Sequence, residues 1–154
     1  MKQFFNFFKY SLFLTLIVTL VSCGGSDDGD DGGTTEEQIL QIASDLTKGQ
    51  ASFSAVTAPD GASTLDWSAL KITFTGGIDG GSYETTGSPN TDVWPTSGSW
   101  AFKDGSNGAT IVRDGSIDVA LGTGSTGYNT TFTVAQPTAR TKQIGGEWKF
   151  TFTF

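Results

Sequence analysis

At 154 residues, with 16 acids against nine bases and no histidine, the chain carries a formal net charge of −7. That length suffices for one domain and a tail. The acidic balance argues against nucleic acid, whose phosphates need clustered Lys and Arg, and the missing histidine removes the commonest general base and a principal zinc ligand.

Lys2 and Lys9 precede an almost wholly apolar run from Leu12 to Val21. A run of about ten residues is too short for a hydrocarbon layer that needs about 20. The order of positive, apolar and small residues predicts a secretory signal peptide over residues 1–22. All 16 acids lie downstream of it and two of the nine bases lie within it, so its removal takes the net charge to about −9.

The one cysteine follows at once, in Leu20-Val21-Ser22-Cys23. A lone Cys in an exported chain has no internal disulfide partner, which leaves a free thiol, an intermolecular bridge or a modified residue. The segment resembles the lipobox of bacterial lipoproteins. The resemblance implies cleavage between Ser22 and Cys23, a diacylglycerol on the Cys23 sulfur, and acylation of the amine that cleavage frees. Alkylation at sulfur suits the nucleophilicity of a thiolate. Several acyl chains, at about 0.8 kcal/mol per buried CH₂, would make the attachment to the membrane effectively permanent, whereas one chain would be marginal. By the same resemblance, Gly24 after the cysteine implies the outer membrane. The acidic run Asp27, Asp28, Asp30 and Asp31 is similar to those that accompany export to the cell surface.

That run does not fit a calcium loop. Counted from Asp27, position three is Gly29 and position twelve is Gln38; counted from Asp28, position five is Gly32 and position twelve is Ile39. An EF-hand needs oxygen ligands at such positions and a Glu at the twelfth. Residues 23–35 therefore read as a lipidated Cys and a solvated, self-repelling tether, whose flexible part would span roughly 20 Å.

A domain over 36–154 follows. Thr34 and Thr35 are N-cap types, with Glu37 and Gln38 three residues on, and Ile39, Ile42, Ala43 and Leu46 recur at i, i+3, i+4, i+7. This predicts a short helix stopped by Gly49, its narrow apolar stripe covering a barrel end or, on a second reading, a partner. Beyond Gly49 the period becomes two. Phe53 and Ala55 alternate with Ser; Leu70, Ile72 and Phe74 with Lys71 and Thr73; Trp100 and Phe102 with small residues; and Ile117, Val119 and Leu121 with Asp118 and Ala120. Tyr83 sits in a short run, and Ile111 in another that ends at Arg113-Asp114-Gly115; Tyr128, Phe132 and Val134 share a face, and so do Trp148, Phe150, Phe152 and Phe154. About eight antiparallel strands with one wet face result. Asp79-Gly80-Gly81, Asp104-Gly105 and Asp114-Gly115 read as their turns, which gives each Asp there a structural reason to exist.

Trp94-Pro95-Thr96-Ser97-Gly98-Ser99-Trp100-Ala101-Phe102 and Gly145-Gly146-Glu147-Trp148-Lys149-Phe150-Thr151-Phe152 resemble segments of small bacterial lipoproteins with a lipocalin-like domain. The resemblance covers most of the chain after Cys23 and implies an all-β, up-and-down, calycin-type barrel. The chain departs from true lipocalins at the first strand, where Gly49-Gln50-Ala51-Ser52-Phe53 stands in place of Gly-x-Trp. Its one such triplet, Gly98-Ser99-Trp100, lies mid-chain. Alternation alone leaves a sandwich open as the other way to bury the same faces.

Gly122-Thr123-Gly124-Ser125-Thr126-Gly127 matches GxGxxG, but a strand and not a helix follows it. The helical N–H groups that hold a pyrophosphate are therefore missing, and the segment reads as a hairpin loop. With Cys23 lipidated and the acids in tether, helix start, turns and outward positions, no catalytic residue, metal site or cofactor is expected. Two functions remain. In the first, the barrel is a non-catalytic binding module for a small apolar or glycan ligand. Its candidate contacts are Trp67 and Trp94, which fall in loop-like stretches off the alternation; the competing reading folds both over a barrel end. In the second, it is a structural or protein-interaction subunit of a cell-envelope assembly. Eleven aromatics on the inner face, each burying roughly 150–250 Å², favour a filled interior over a cavity.

Overall fold

The computed structural model describes residues 36–62, 65–136 and 144–154. Helix α1 (Glu36–Leu46) leads eight strands: β1 (Gln50–Thr57), β2 (Lys71–Gly77), β3 (Gly80–Thr86), β4 (Ser97–Phe102), β5 (Thr110–Arg113), β6 (Ile117–Gly124), β7 (Gly127–Val134) and β8 (Gly146–Thr153). Each strand pairs antiparallel with the next, and β8 pairs antiparallel with β1, so the sheet is a closed barrel in meander order. The architecture is that of a lipocalin-like fold, and closure leaves no sheet edge to pair with another chain.

The period of two does most of the positioning. Ile72 and Phe74, Tyr83 and Thr85, Tyr128 and Phe132, and Trp148, Phe150 and Phe152 are buried, while their sequence neighbours face outward or are half-buried. Tight turns join β2 to β3 and β6 to β7. The β5–β6 turn carries Asp114 and Gly115 at φ of 52° and 70°, a conformation that Asp and Gly tolerate.

The strand readings need three corrections. In β1 the pairing with β8 slips between Phe53 and Ala55, a bulge that shifts the inward phase by one residue. Val56, not Ala55, then packs on the core, and Ala55 is exposed. Arg113 is not a turn residue but the last inward residue of β5, with no exposed surface. Phe154 lies past the end of β8 and is 40% exposed; its ring stands 5.8 Å from that of Tyr128 and beneath the Lys48 ammonium.

The two barrel ends close differently. Helix α1 lies against β2, β6 and β7 at one end, burying Ala43 and Leu46, and Lys48 Nζ donates to the Ser125 carbonyl at 2.7 Å. Ile42 rests against Gly108, where a Cβ would come within 2.8 Å of its terminal carbon. At the other end the long connections fold inward: β1–β2 contributes Ala62, Trp67 and Leu70, β3–β4 contributes Val93 and Trp94, and β7–β8 contributes Ile144.

Candidate functional site

The Trp94 connection is built as a plug. Asn90 starts it, its carbonyl accepting from the amides of Val93 and Trp94 at 3.2 and 3.0 Å. Its return is fixed to β3, where the Thr85 amide donates to the Thr96 carbonyl at 2.8 Å and the Thr85 hydroxyl to the Pro95 carbonyl at 2.7 Å. Between these anchors Trp94 enters the barrel and meets Tyr83, Phe132, Phe150 and Phe152 edge to face, with centroids 5.1–6.0 Å apart. Such geometry sets positive ring edges against negative faces.

Arg113 completes this arrangement from β5. Its guanidinium lies 4.8 Å from the Trp94 ring centroid and 4.5 Å from that of Phe132, and Nη1 donates to the Val93 carbonyl at 3.0 Å. Asp114 lies 3.5 Å from Nε through Oδ2. The same carboxylate accepts from the Tyr83 hydroxyl at 2.7 Å and the Ser99 amide at 3.0 Å. Gly98 leaves room for this group, since a Cβ there would stand 2.0 Å from Asp114 Oδ1 and 2.6 Å from the Tyr83 ring. Burial, then the hydrogen bond to Asp114, raises the Tyr83 hydroxyl far above the ordinary phenol range. Burial lowers the Arg113 pKa from its usual value, opposed by Tyr83 and Asp114.

Trp67 forms a second layer of the same closure. Its ring stands 5.4 Å from Trp148 and 4.9 Å from Phe150, edge to face. Trp148 is oriented by its indole N–H, which donates to the Ile144 carbonyl at 2.9 Å. The two candidate contact residues therefore share the loop-side end of the barrel and both touch Phe150, yet Trp67 is 2% exposed and Trp94 0%. As folded, neither ring presents a face to a ligand.

Cys23 and Ser22, with the signal peptide and the tether, lie outside the described residues. Arg113 and the Asp114–Tyr83 pair adjoin Trp94, and sequence reasoning passed over them. The signal for Arg113 was present, because Arg113 is two residues from Ile111 and so shares its face. The Arg-Asp-Gly turn chemistry drew it into the loop instead.

Two depressions lie on the outside of the barrel. A depression of about 820 Å³ is lined by Asp118, Ala120, Thr131 and Thr133, together with Asp92 and Glu147. Another of about 620 Å³ runs between α1 and the β2–β3 and β4–β5 turns, past Ile39, Ile78 and Phe102. Lys103 stands near both and pairs with Asp118. Among the described residues no three acidic or thiol side chains come together as a metal site. No known protein family, curated protein or solved structure matches the chain.

Proposed function

We propose that the protein is a bacterial lipoprotein, held by a lipid on Cys23 to the outer membrane and displayed at the cell surface. In this reading its barrel is a non-catalytic structural or protein-interaction subunit of an envelope assembly. The observation that carries the choice is the occupied interior: Trp94 fills the centre, with Arg113 and Phe132 on one side and Phe150 and Phe152 on another. A carrier of the lipocalin type needs an emptied barrel, and this one is packed by its own chain. Contacts with a partner then fall to the outer wall and the barrel ends.

The lipid anchor rests on the order of charge, apolar run, small residues and Cys over residues 1–23. The acidic tether would hold the barrel clear of the headgroups. Binding of a small apolar or glycan ligand through Trp67 and Trp94 requires those rings to leave the core first, which makes it the second reading.

Crosslinking in intact cells with a short amine- and carboxyl-reactive reagent, followed by purification of the tagged protein, tests the proposal. A discrete adduct with one envelope protein, reduced by charge reversal at the Asp118 wall and unaffected by Trp94→Phe, is the expected result. A monomer free of adducts at every reagent concentration would contradict it.

A further inference from the structure

Six polar side-chain atoms buried in the barrel have no hydrogen-bond partner among the described residues: Nε1 of Trp67 and of Trp94, Nε and Nη2 of Arg113, the Tyr128 hydroxyl and Thr130 Oγ1. Four of them can only donate. A buried donor without an acceptor retains its full desolvation penalty, and the penalty is larger for a charged group. Arg113 is therefore the most demanding of the set, being cationic and entirely enclosed.

The surroundings of Arg113 define what could meet it. Trp94 and Phe132 cover the guanidinium, and the Val93 carbonyl takes Nη1. Nε and Nη2 form the remaining edge. Asp114 faces that edge, but its 3.5 Å separation from Nε exceeds the usual range of about 2.7–3.2 Å for an N–H···O bond. Asp114 is also held elsewhere, by the Tyr83 hydroxyl and the Ser99 amide.

The missing partner must then be small, must accept from Nη2, and must tolerate a carboxylate beside it. An anion meets the first two conditions and is repelled by Asp114. A cation is repelled by Arg113. Water satisfies all three, because it accepts from the guanidinium and donates to the carboxylate, and buried water commonly serves otherwise unpaired groups in this way.

We propose that one buried water molecule sits at the Nε/Nη2 edge of Arg113, accepting from Nη2 and donating to Asp114. It completes a latch running from the Val93 carbonyl through Arg113, the water and Asp114 to Tyr83 and Ser99. The latch ties the Trp94 plug to β3, β4 and β5 at once. This inference is independent of the lipid anchor and of any partner.

A crystal structure of the protein grown with bromide as the halide, at a resolution that shows ordered water, identifies the occupant. The expected result is a peak without anomalous signal within hydrogen-bond reach of both Arg113 Nη2 and an Asp114 oxygen. A bromide peak at that place would make it an anion site, and Asp114 closed directly onto Nη2 would make it a dry ion pair; either overturns the proposal. In solution, the Arg113 Nε proton should show a cross-relaxation peak to a long-lived water, and its absence would also overturn it.

Discussion

Trp94 shows how one residue decides what the barrel can do. Its side chain takes the volume a carried ligand would need, and four ring contacts and a guanidinium hold it there. Trp94→Ala should cost about 3–5 kcal/mol of stability, the range for truncating a large core aromatic, as measured by urea denaturation. A loss below about 1 kcal/mol would mean that the plug is not packed as described. The tyrosines give a pH test. Burial raises the pKa of both Tyr83 and Tyr128, so the folded state keeps protons that the unfolded chain releases above pH about 10. Their contribution is intact below that pH and lost as pH rises past it, at up to about 1.4 kcal/mol per pH unit for each tyrosine. Urea midpoints measured from pH 8 to 11 should fall over the upper part of the range, and Tyr128→Phe should flatten the fall. A flat wild-type profile would contradict the burial of these hydroxyls.

The elements were mostly legible in the sequence, because the wet-outside, apolar-inside alternation is a direct consequence of a one-sided sheet. Ile72 and Phe74, or Trp148, Phe150 and Phe152, share one face on a strand and do not on a helix. The short helix was equally plain from Ile39, Ile42, Ala43 and Leu46, of which Ala43 and Leu46 are the buried pair. What alternation could not show is a change of phase. The bulge after Phe53 has no composition signature, and it moved the inward position from Ala55 to Val56. Loop residues were harder still. Trp67 and Trp94 lie off the period, and whether a Trp on a loop turns in or out depends on contacts far away in sequence, such as Arg113 and Phe150. Of the two readings the sequence left open for this pair, the one that folds both rings over a barrel end is the one the structure shows, while the partners that hold them there were not legible. At this scale the helix supplies its own control. Leu46 is fully buried and Leu40 is 48% exposed on the same helix. Leu46→Ala should cost about 2–5 kcal/mol and Leu40→Ala no more than about 0.5 kcal/mol by thermal unfolding. Equal effects would mean that α1 does not cap the barrel through the stripe described.

At the scale of the molecule, closure by the β1–β8 pairing, a helix across one end and folded loops across the other leave a body with a packed interior. Such a body fits the proposed role in contact better than carriage. The proposed location rests on the N-terminal segment: a lipid on Cys23 would turn a freely diffusing barrel into one confined to a membrane, with a strongly acidic tether between the two. The proposed anchor and the filled interior can be read together. Native mass spectrometry of protein extracted in detergent from its own cells should give the mass of residues 23–154 plus a diacylglyceryl and an acyl group, with no further small molecule retained. A free thiol at Cys23, a mature terminus elsewhere, or a stoichiometric ligand that survives extraction would contradict it.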